Sequence, residues 1–337
     1  MNPSMLRLTI LSISMLSSCL WRSDGVDQPT GDMRLTVLHT SDIHSRLFPY
    51  DLEPSTGDRS LGLYTENKPF GGAARLGYLI KRERARAQRV LHLDSGDCFQ
   101  GAPVFNRYFG EPEIRFLSDV GLDAAVIGNH EFDAGVNNLA QALQRFAAYD
   151  NLAANYIFPD PSDPNMHALS QVSQPYAIYN VLGLRVAVIG MANLSSLSSI
   201  GEGGNSLQLV PLEQNETLRA YVRFLHGSVD LITVVSHLGL HEDERMIRGY
   251  WEVVWKHQIP KHVSWEILED LKDGRVVVWI PGVQDVDIVF GGHLHVVLNP
   301  PKVVTDVDGR EVLVVHSGAF SKYLGRLDAV VQVDPER

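Results

Sequence analysis

Gly128-Asn129-His130-Glu131-Phe132-Asp133 follows the apolar run Ala124-Ala125-Val126-Ile127. The run reads as a buried strand, and a sharp turn at Gly128 sets Asn129 and His130 just past its end. In an open α/β sheet that edge is where ligands bind. Asn129 offers a neutral oxygen ligand and His130 an imidazole. Asp133 is a carboxylate close enough in sequence to orient that imidazole. Taken alone, the stretch also reads as a turn-forming Asn beside a surface His. Recurrence sets it apart, because an apolar strand followed by a metal-type residue occurs at four other places.

The first is Leu35-Thr36-Val37-Leu38, which leads to Asp42-Ile43-His44. Residues two apart in an extended segment point to the same side, so Asp42 and His44 form a metal half-site of one hard oxygen and one imidazole. By itself the pair also fits a turn Asp beside a surface His. Val90-Leu91-His92-Leu93 leads to Asp94-Ser95-Gly96-Asp97. Gly96 permits close backbone approach, and the two oxygens of Asp97 could bridge two cations. Cys98, next in the chain, reads either as a ligand or as a small buried filler. Leu231 to Val235 leads to Ser236-His237, and Asp287 to Phe290 leads to Gly291-Gly292-His293-Leu294-His295, which repeats the same-side spacing. Val312 to Val315 leads to His316, read as structural and left outside the metal shell. Gly71-Gly72-Ala73-Ala74-Arg75 opens a helical pattern running to Arg89, with Leu76, Leu79 and Ile80 on one face. Arg75 there either faces an anion at the helix start or is an ordinary solvated residue. Ser45 to Phe70 is a long polar loop, a kind that is often functional.

The chain has 337 residues, 45% hydrophobic content and a net charge of −11, which argues against a nucleic-acid polymer as partner. Arg7 precedes an apolar stretch from Leu8 to Leu16, too short for the roughly 20 residues a spanning helix needs. Residues 1–18 therefore read as a secretory signal. Leu16-Ser17-Ser18-Cys19 resembles the bacterial lipobox, whose Cys becomes lipid-modified; an ordinary signal peptide cut nearby is the other reading. Residues 19–33 form a tether and 34–337 a single catalytic domain, exported and held at a bacterial membrane in the periplasm or at the cell surface. With Cys19 lipidated, Cys98 has no partner, so no disulfide framework is expected.

Asp42, His44, Asp97, Asn129, His237, His293 and His295 mix carboxylate, amide oxygen and imidazole in a way that suits two cations sharing Asp97. In order, D-x-H, G-D, G-N-H-E-F-D, S-H and G-G-H-x-H resemble the calcineurin-like metallophosphoesterases. The Gly-Gly-x-x-Arg helix start and Gly325-Arg326-Leu327-Asp328 look like the 5′-nucleotidase branch, and the resemblance covers about Leu35 to Val333.

The resemblance implies an α/β fold of two stacked β-sheets flanked by helices, with the site at the strand ends. It implies two divalent ions, Zn, Mn or Fe. Asp42, His44, Asp97 and His295 would hold one; Asp97, Asn129, His237 and His293 would hold the other. His130, oriented by Asp133, would stabilise charge on the phosphate or protonate the leaving oxygen. The implied reaction is hydrolysis of phosphate monoesters, nucleotides foremost, by a metal-activated hydroxide. A 2′,3′-cyclic-nucleotide phosphodiesterase and a non-catalytic, metal-stabilised surface lipoprotein are the alternatives.

Three departures from the pattern stand out. Ser45 replaces the usual Gly after D-x-H, and His295 occupies a position that varies within the nucleotidase branch. The chain stops at Arg337, where nucleotidases usually continue into a domain that stacks on the base. Broad specificity, or a separate partner chain supplying that domain, is therefore expected. Residues 243–281 form an insertion with Trp251, Trp255, Trp265 and Trp279. Trp251 and Trp255, four apart, are expected to share a helix face. The insertion is either a flap over substrate or partner, or a helical excursion burying its own aromatics.

Overall fold

A computed structural model describes residues 31–158, 162, 164–193, 209–261 and 263–333. The signal segment, Cys19 and the tether up to Thr30 lie outside the described residues. Five strands form the first sheet: β1 (Gly31–Thr40), β2 (Val90–Asp94), β3 (Ala124–Val126), β4 (Asp150–Leu152) and, last of the described strands, β16 (Gly325–Val333). Their order is β16-β1-β2-β3-β4. After the short pair β5 (Tyr156–Ile157) and β8 (Val210–Pro211), a second sheet has six strands in the order β14-β15-β13-β9-β7-β6. These are β6 (Tyr176–Val181), β7 (Leu184–Met191), β9 (Leu231–Ser236), β13 (Ile288–Gly291), β14 (Lys302–Thr305) and β15 (Glu311–His316).

Alternation along the strands stacks the two sheets. Leu35 and Val37 of β1, Leu93 of β2, Val186 and Val188 of β7 and Phe290 of β13 share one buried cluster between the sheets. The intervening side chains face outward onto helices. Leu38 of β1 meets Leu76 and Ile80 of α1 (Ala73–Arg86). Ala187 and Ile189 of β7 meet Leu218, Val222 and Leu225 of α2 (Gln214–Leu225) and Met246 and Ile247 of α3 (Leu240–Arg248). Strands covered on both faces need continuous apolar runs, and that is why they are visible in the sequence. β1, β2, β3 and β4 run parallel, as do β7, β9, β13 and β15. The residues after their carboxyl ends therefore gather on one edge.

Two expectations change. β1 begins at Gly31 rather than near Leu35, because Gly31 to Met33 pair with Val331 to Val333 of β16. The tether thus gives up its last three residues to a partner too distant in sequence to be read locally. The Trp-bearing part of the insertion, after α3, is no helix. It is a three-stranded antiparallel sheet of β10 (Tyr250–Trp255), β12 (Arg275–Ile280) and β11 (Glu266–Asp270). A spacing of four shares a face in a strand as well as in a helix, and the valines at 253, 254 and 276–278 favour the strand. Val276, Val278 and Ile280 are buried on one face. On the other, Trp251 stands 62% exposed, paired with Trp279 at 4.8 Å between ring centroids. Trp251 and Trp255 are therefore exposed, while Trp265 packs partly buried against the small sheet's own apolar face. The sheet leans on the start of α2, through Asn215 to Pro281 and Ser264 to Glu216. Among the described residues no hydrogen bond or ion pair joins it to the histidines of the strand edge.

Candidate active site

Backbone bonds beyond the strand ends zip the site together. The Asp42 N–H donates to the Gly96 carbonyl at 2.9 Å and the His44 N–H to the Asp97 carbonyl at 3.0 Å, which continues the β1–β2 pairing into the loops. The two sheets are joined where the His293 N–H reaches both Asp42 oxygens, at 3.1 and 3.2 Å. Gly292 is required at this crossing: a Cβ would come within 2.8 Å of the Ser95 carbonyl and 3.1 Å of Asp42 Oδ2.

All seven candidate ligands come to this edge, and six of them form two groups. Asp42, His44 and His295 offer one ligand atom each within 4.8 Å of one another, and so do Asp97, His237 and His293. The extended same-side geometry expected for D-x-H and H-x-H is not what unites them. Asp42, His44, Asp97, His293 and His295 all lie at positive φ, between 49° and 75°. Left-handed turns follow the strands, so His293 and His295 point into different groups. Backbone strain of this kind in non-glycine residues persists only where the surroundings over-determine it.

Cations fit these groups on the chemistry of the donors. His237 Nδ1 bonds the Ser95 carbonyl, which only accepts, so the proton is on Nδ1. Its Nε2 then points a lone pair at Asp97 Oδ2 from 2.9 Å. His44 Nδ1 likewise faces the Gln100 carbonyl, leaving Nε2 as a lone pair 3.0 Å from His295 Nε2. Asn129 Oδ1 is buried without a partner. The His237 Nε2 lone pair and Asp97 Oδ2, both acceptors, need either a proton or a cation between them.

The electrostatics state the same need. Burial opposes charge on His237, but Asp97, with Asp42, outweighs it and lifts the imidazole to about 10. Burial raises the Asp42 carboxyl to about 8, against the pull of His237. Burial also acts on Asp97, yet His237, His130 and His44 hold it well below the usual carboxylate range. Burial, helped by His295 and His130, outweighs the pull of Asp97 on His44 and lowers it to about 4.

Beside the groups, His130 Nδ1 meets Asp133 Oδ2 at 2.7 Å, and that bond leads the forces raising the His130 pKa. The His130 ring lies 5.2 Å from that of His44. Its backbone N–H, not its ring, bonds Asp97.

Arg75 is not drawn in; it is exposed, and its guanidinium bonds the Pro69 carbonyl. Cys98 is buried, and its thiol is pushed up by burial, as suits a filler. His316 pairs with Asp243 at 2.9 Å, and Ser236 donates to the other Asp243 oxygen. This buried pair lies beneath Gly291, whose Cβ would collide with it.

Sequence reasoning misses Glu131. Its buried carboxylate accepts the backbone N–H groups of Asp97 (3.0 Å), Cys98 (2.8 Å), Phe99 (3.3 Å) and Gly128 (2.7 Å). Burial raises its carboxyl while these donors favour the ionised form. Four donors leave no acceptor for a carboxyl proton, so the charged form fits the site. Glu131 thereby clamps the loop carrying Asp97 to the loop carrying Asn129. The signal is its place inside G-N-H-E-F-D, masked there by its metal-type neighbours.

Residues 35–297 match the calcineurin-like phosphoesterase family. A snake venom 5′-nucleotidase of Gloydius brevicauda is 29% identical over 330 residues, which is 94% of this chain and 48% of that protein. The 5′-nucleotidase of Rattus norvegicus is 31% identical over 307 residues, covering 87% of this chain and 46% of its own length. Among solved structures, a 5′-nucleotidase precursor from Thermus thermophilus superposes with a TM-score of 0.67 at 27% identity, over 90% of this chain and 55% of that one. The chain spans about half the length of the curated relatives it matches.

Proposed function

Because the chain belongs to the calcineurin-like phosphoesterase family, we propose that it is a dimetal phosphohydrolase acting on phosphate monoesters of the nucleotide class. The observation that carries this reading is the pair of donor groups with the His130–Asp133 dyad beside them. Asp42, His44 and His295, with Asp97, would hold one ion; Asp97, Asn129, His237 and His293 would hold the other. Bound ions would supply Lewis-acid charge at the phosphoryl oxygens and ease deprotonation of the attacking water. The chain's own residues do the rest. Glu131 fixes the spacing of the two ligand-bearing loops. The Ser95 and Gln100 carbonyls fix the tautomers of His237 and His44, so that both Nε2 atoms face inward. Asp133 holds Nδ1 of His130, leaving Nε2 to donate to a phosphoryl or leaving oxygen.

Nucleotides are the leading substrates because the relatives are named 5′-nucleotidases. The test is phosphate release by Zn- or Mn-loaded protein from nucleoside monophosphates, 2′,3′-cyclic nucleotides and an aryl phosphate. Release from the monophosphates is expected. No release from any of them with either metal would discard the reading in favour of a non-catalytic surface protein.

We also infer export and lipid anchoring, on the support of Leu16-Ser17-Ser18-Cys19. Among the described residues no helix is long and apolar enough to cross a membrane. Cys19→Ser is expected to move the protein from the membrane to the soluble fraction of bacterial cells. Retention at the membrane, or an unmodified N-terminus elsewhere by mass spectrometry, would remove the anchor.

A further inference from the structure

Arg46 lies in the turn directly after the Asp42–His44 pair, with its N–H on the Ile43 carbonyl at 3.1 Å. The guanidinium carbon is 4.8 Å from the Tyr50 ring centroid and 5.9 Å from that of Phe320. Phe320 in turn is 4.8 Å from the His295 ring and 5.5 Å from the His44 ring. The cation is thus one ring removed from the first donor group.

Its cradle is held firmly. The Phe320 N–H donates to the Asp42 carbonyl at 2.8 Å, and the Tyr50 hydroxyl donates to the Phe320 carbonyl at 2.8 Å. Phe320 itself sits at φ +66°. Guanidinium planes pack on aromatic faces and keep their in-plane N–H groups for planar anions.

Those groups lack an anion here. Arg46 Nε is buried without a hydrogen-bond partner, and among the described residues Arg46 has no ion pair. The neighbouring cations are committed: Lys322 bonds Asp58 at 2.6 Å, and His130 bonds Asp133.

We propose that Arg46 recognises a second anionic group on the substrate, a phosphate adjacent to the one being cleaved, so that besides cleaving monoesters the site binds nucleoside diphosphates more tightly than monophosphates and cleaves their terminal phosphoanhydride, water adding to the β-phosphorus as the nucleoside monophosphate leaves. This rests on the phosphohydrolase reading above. Arg46→Met keeps an apolar stem against Tyr50 and Phe320 but removes the charge, and Arg46→Lys keeps the charge.

Two measurements separate the claims. Turnover of the mono- and diphosphate of one nucleoside by metal-loaded protein should show the diphosphate KM rising at least tenfold more than the monophosphate KM in Arg46→Met. Arg46→Lys should recover part of that difference. Calorimetric titration with a methylene-bridged nucleoside diphosphate and the matching phosphonate, which needs no turnover, should show at least a tenfold preference for the diphosphate that Arg46→Met loses. An equal preference in wild type and Arg46→Met overturns the proposal. So does a parallel loss for both ligands, which would make Arg46 a brace for Phe320. If wild type releases phosphate from neither nucleotide while the titration difference holds, the hydrolase reading fails and the Arg46 assignment stands.

Discussion

Asp97→Asn is expected to lower metal content and phosphate release together, by more than the roughly 10- to 100-fold typical of losing a supporting partner. One Asp97 oxygen faces the His237 lone pair at 2.9 Å, and the other accepts the His130 N–H at 2.8 Å. An amide nitrogen in the first position would donate to His237 Nε2. That bond satisfies both groups without a cation and removes a carboxylate from the middle of the site. Elemental analysis after loading and dialysis checks the result, with circular dichroism to show that the variant folds. Two ions held at wild-type affinity would end the shared role of Asp97.

The same contact sets a pH dependence. The folded value of His237, about 10, lies above the ordinary 6.5 of imidazole. The stabilising His237–Asp97 attraction is fully present below pH 6.5 and is lost as the pH rises through about 10. A divalent ion competes with that proton. Wild-type metal affinity should therefore climb between about pH 7 and 10, and the climb should flatten in Asp97→Asn.

His130→Ala is expected to keep both ions while kcat falls by roughly 10²- to 10⁴-fold, the usual loss for a positioned acid. The backbone N–H that supports Asp97 survives the substitution, and the ring makes no bond to a candidate ligand. Asp133 leads the forces raising the His130 pKa. If the protonated ring is the working form, activity falls as pH rises through that raised value, and Asp133→Asn moves the alkaline limb to lower pH. Metal content falling in step with kcat would make His130 a ligand instead.

Much of this architecture is legible in the sequence itself. The strands around Val37, Leu93, Val126, Val188, Val234 and Val289 are apolar because both faces are covered, and most of them announce the residue waiting at their end. What stays hidden depends on dihedral angles and distant partners. No pattern in Asp42-Ile43-His44 reports a left-handed turn, and H-x-H alone cannot say that His293 and His295 part company. Glu131 looks inert because its partners are backbone N–H groups, which leave no trace in sequence. Trp251 and Trp255 mislead because the spacing they share satisfies two periods at once.

The pairing of β1 with β16 carries a consequence for how the molecule comes into being. Nine residue pairs join these strands, and Thr36 bonds Asp328 across 292 positions. The strand that aims Asp42 into the site is thus flanked by a neighbour translated much later. At roughly 5–20 residues per second, that neighbour is on the order of 15–60 s away when β1 leaves the ribosome. Contacts so remote in sequence make for slow folding, and until β16 arrives β1 presents one open, largely apolar edge. Assembly of the site therefore comes late, and the growing chain is exposed to misassociation throughout the wait.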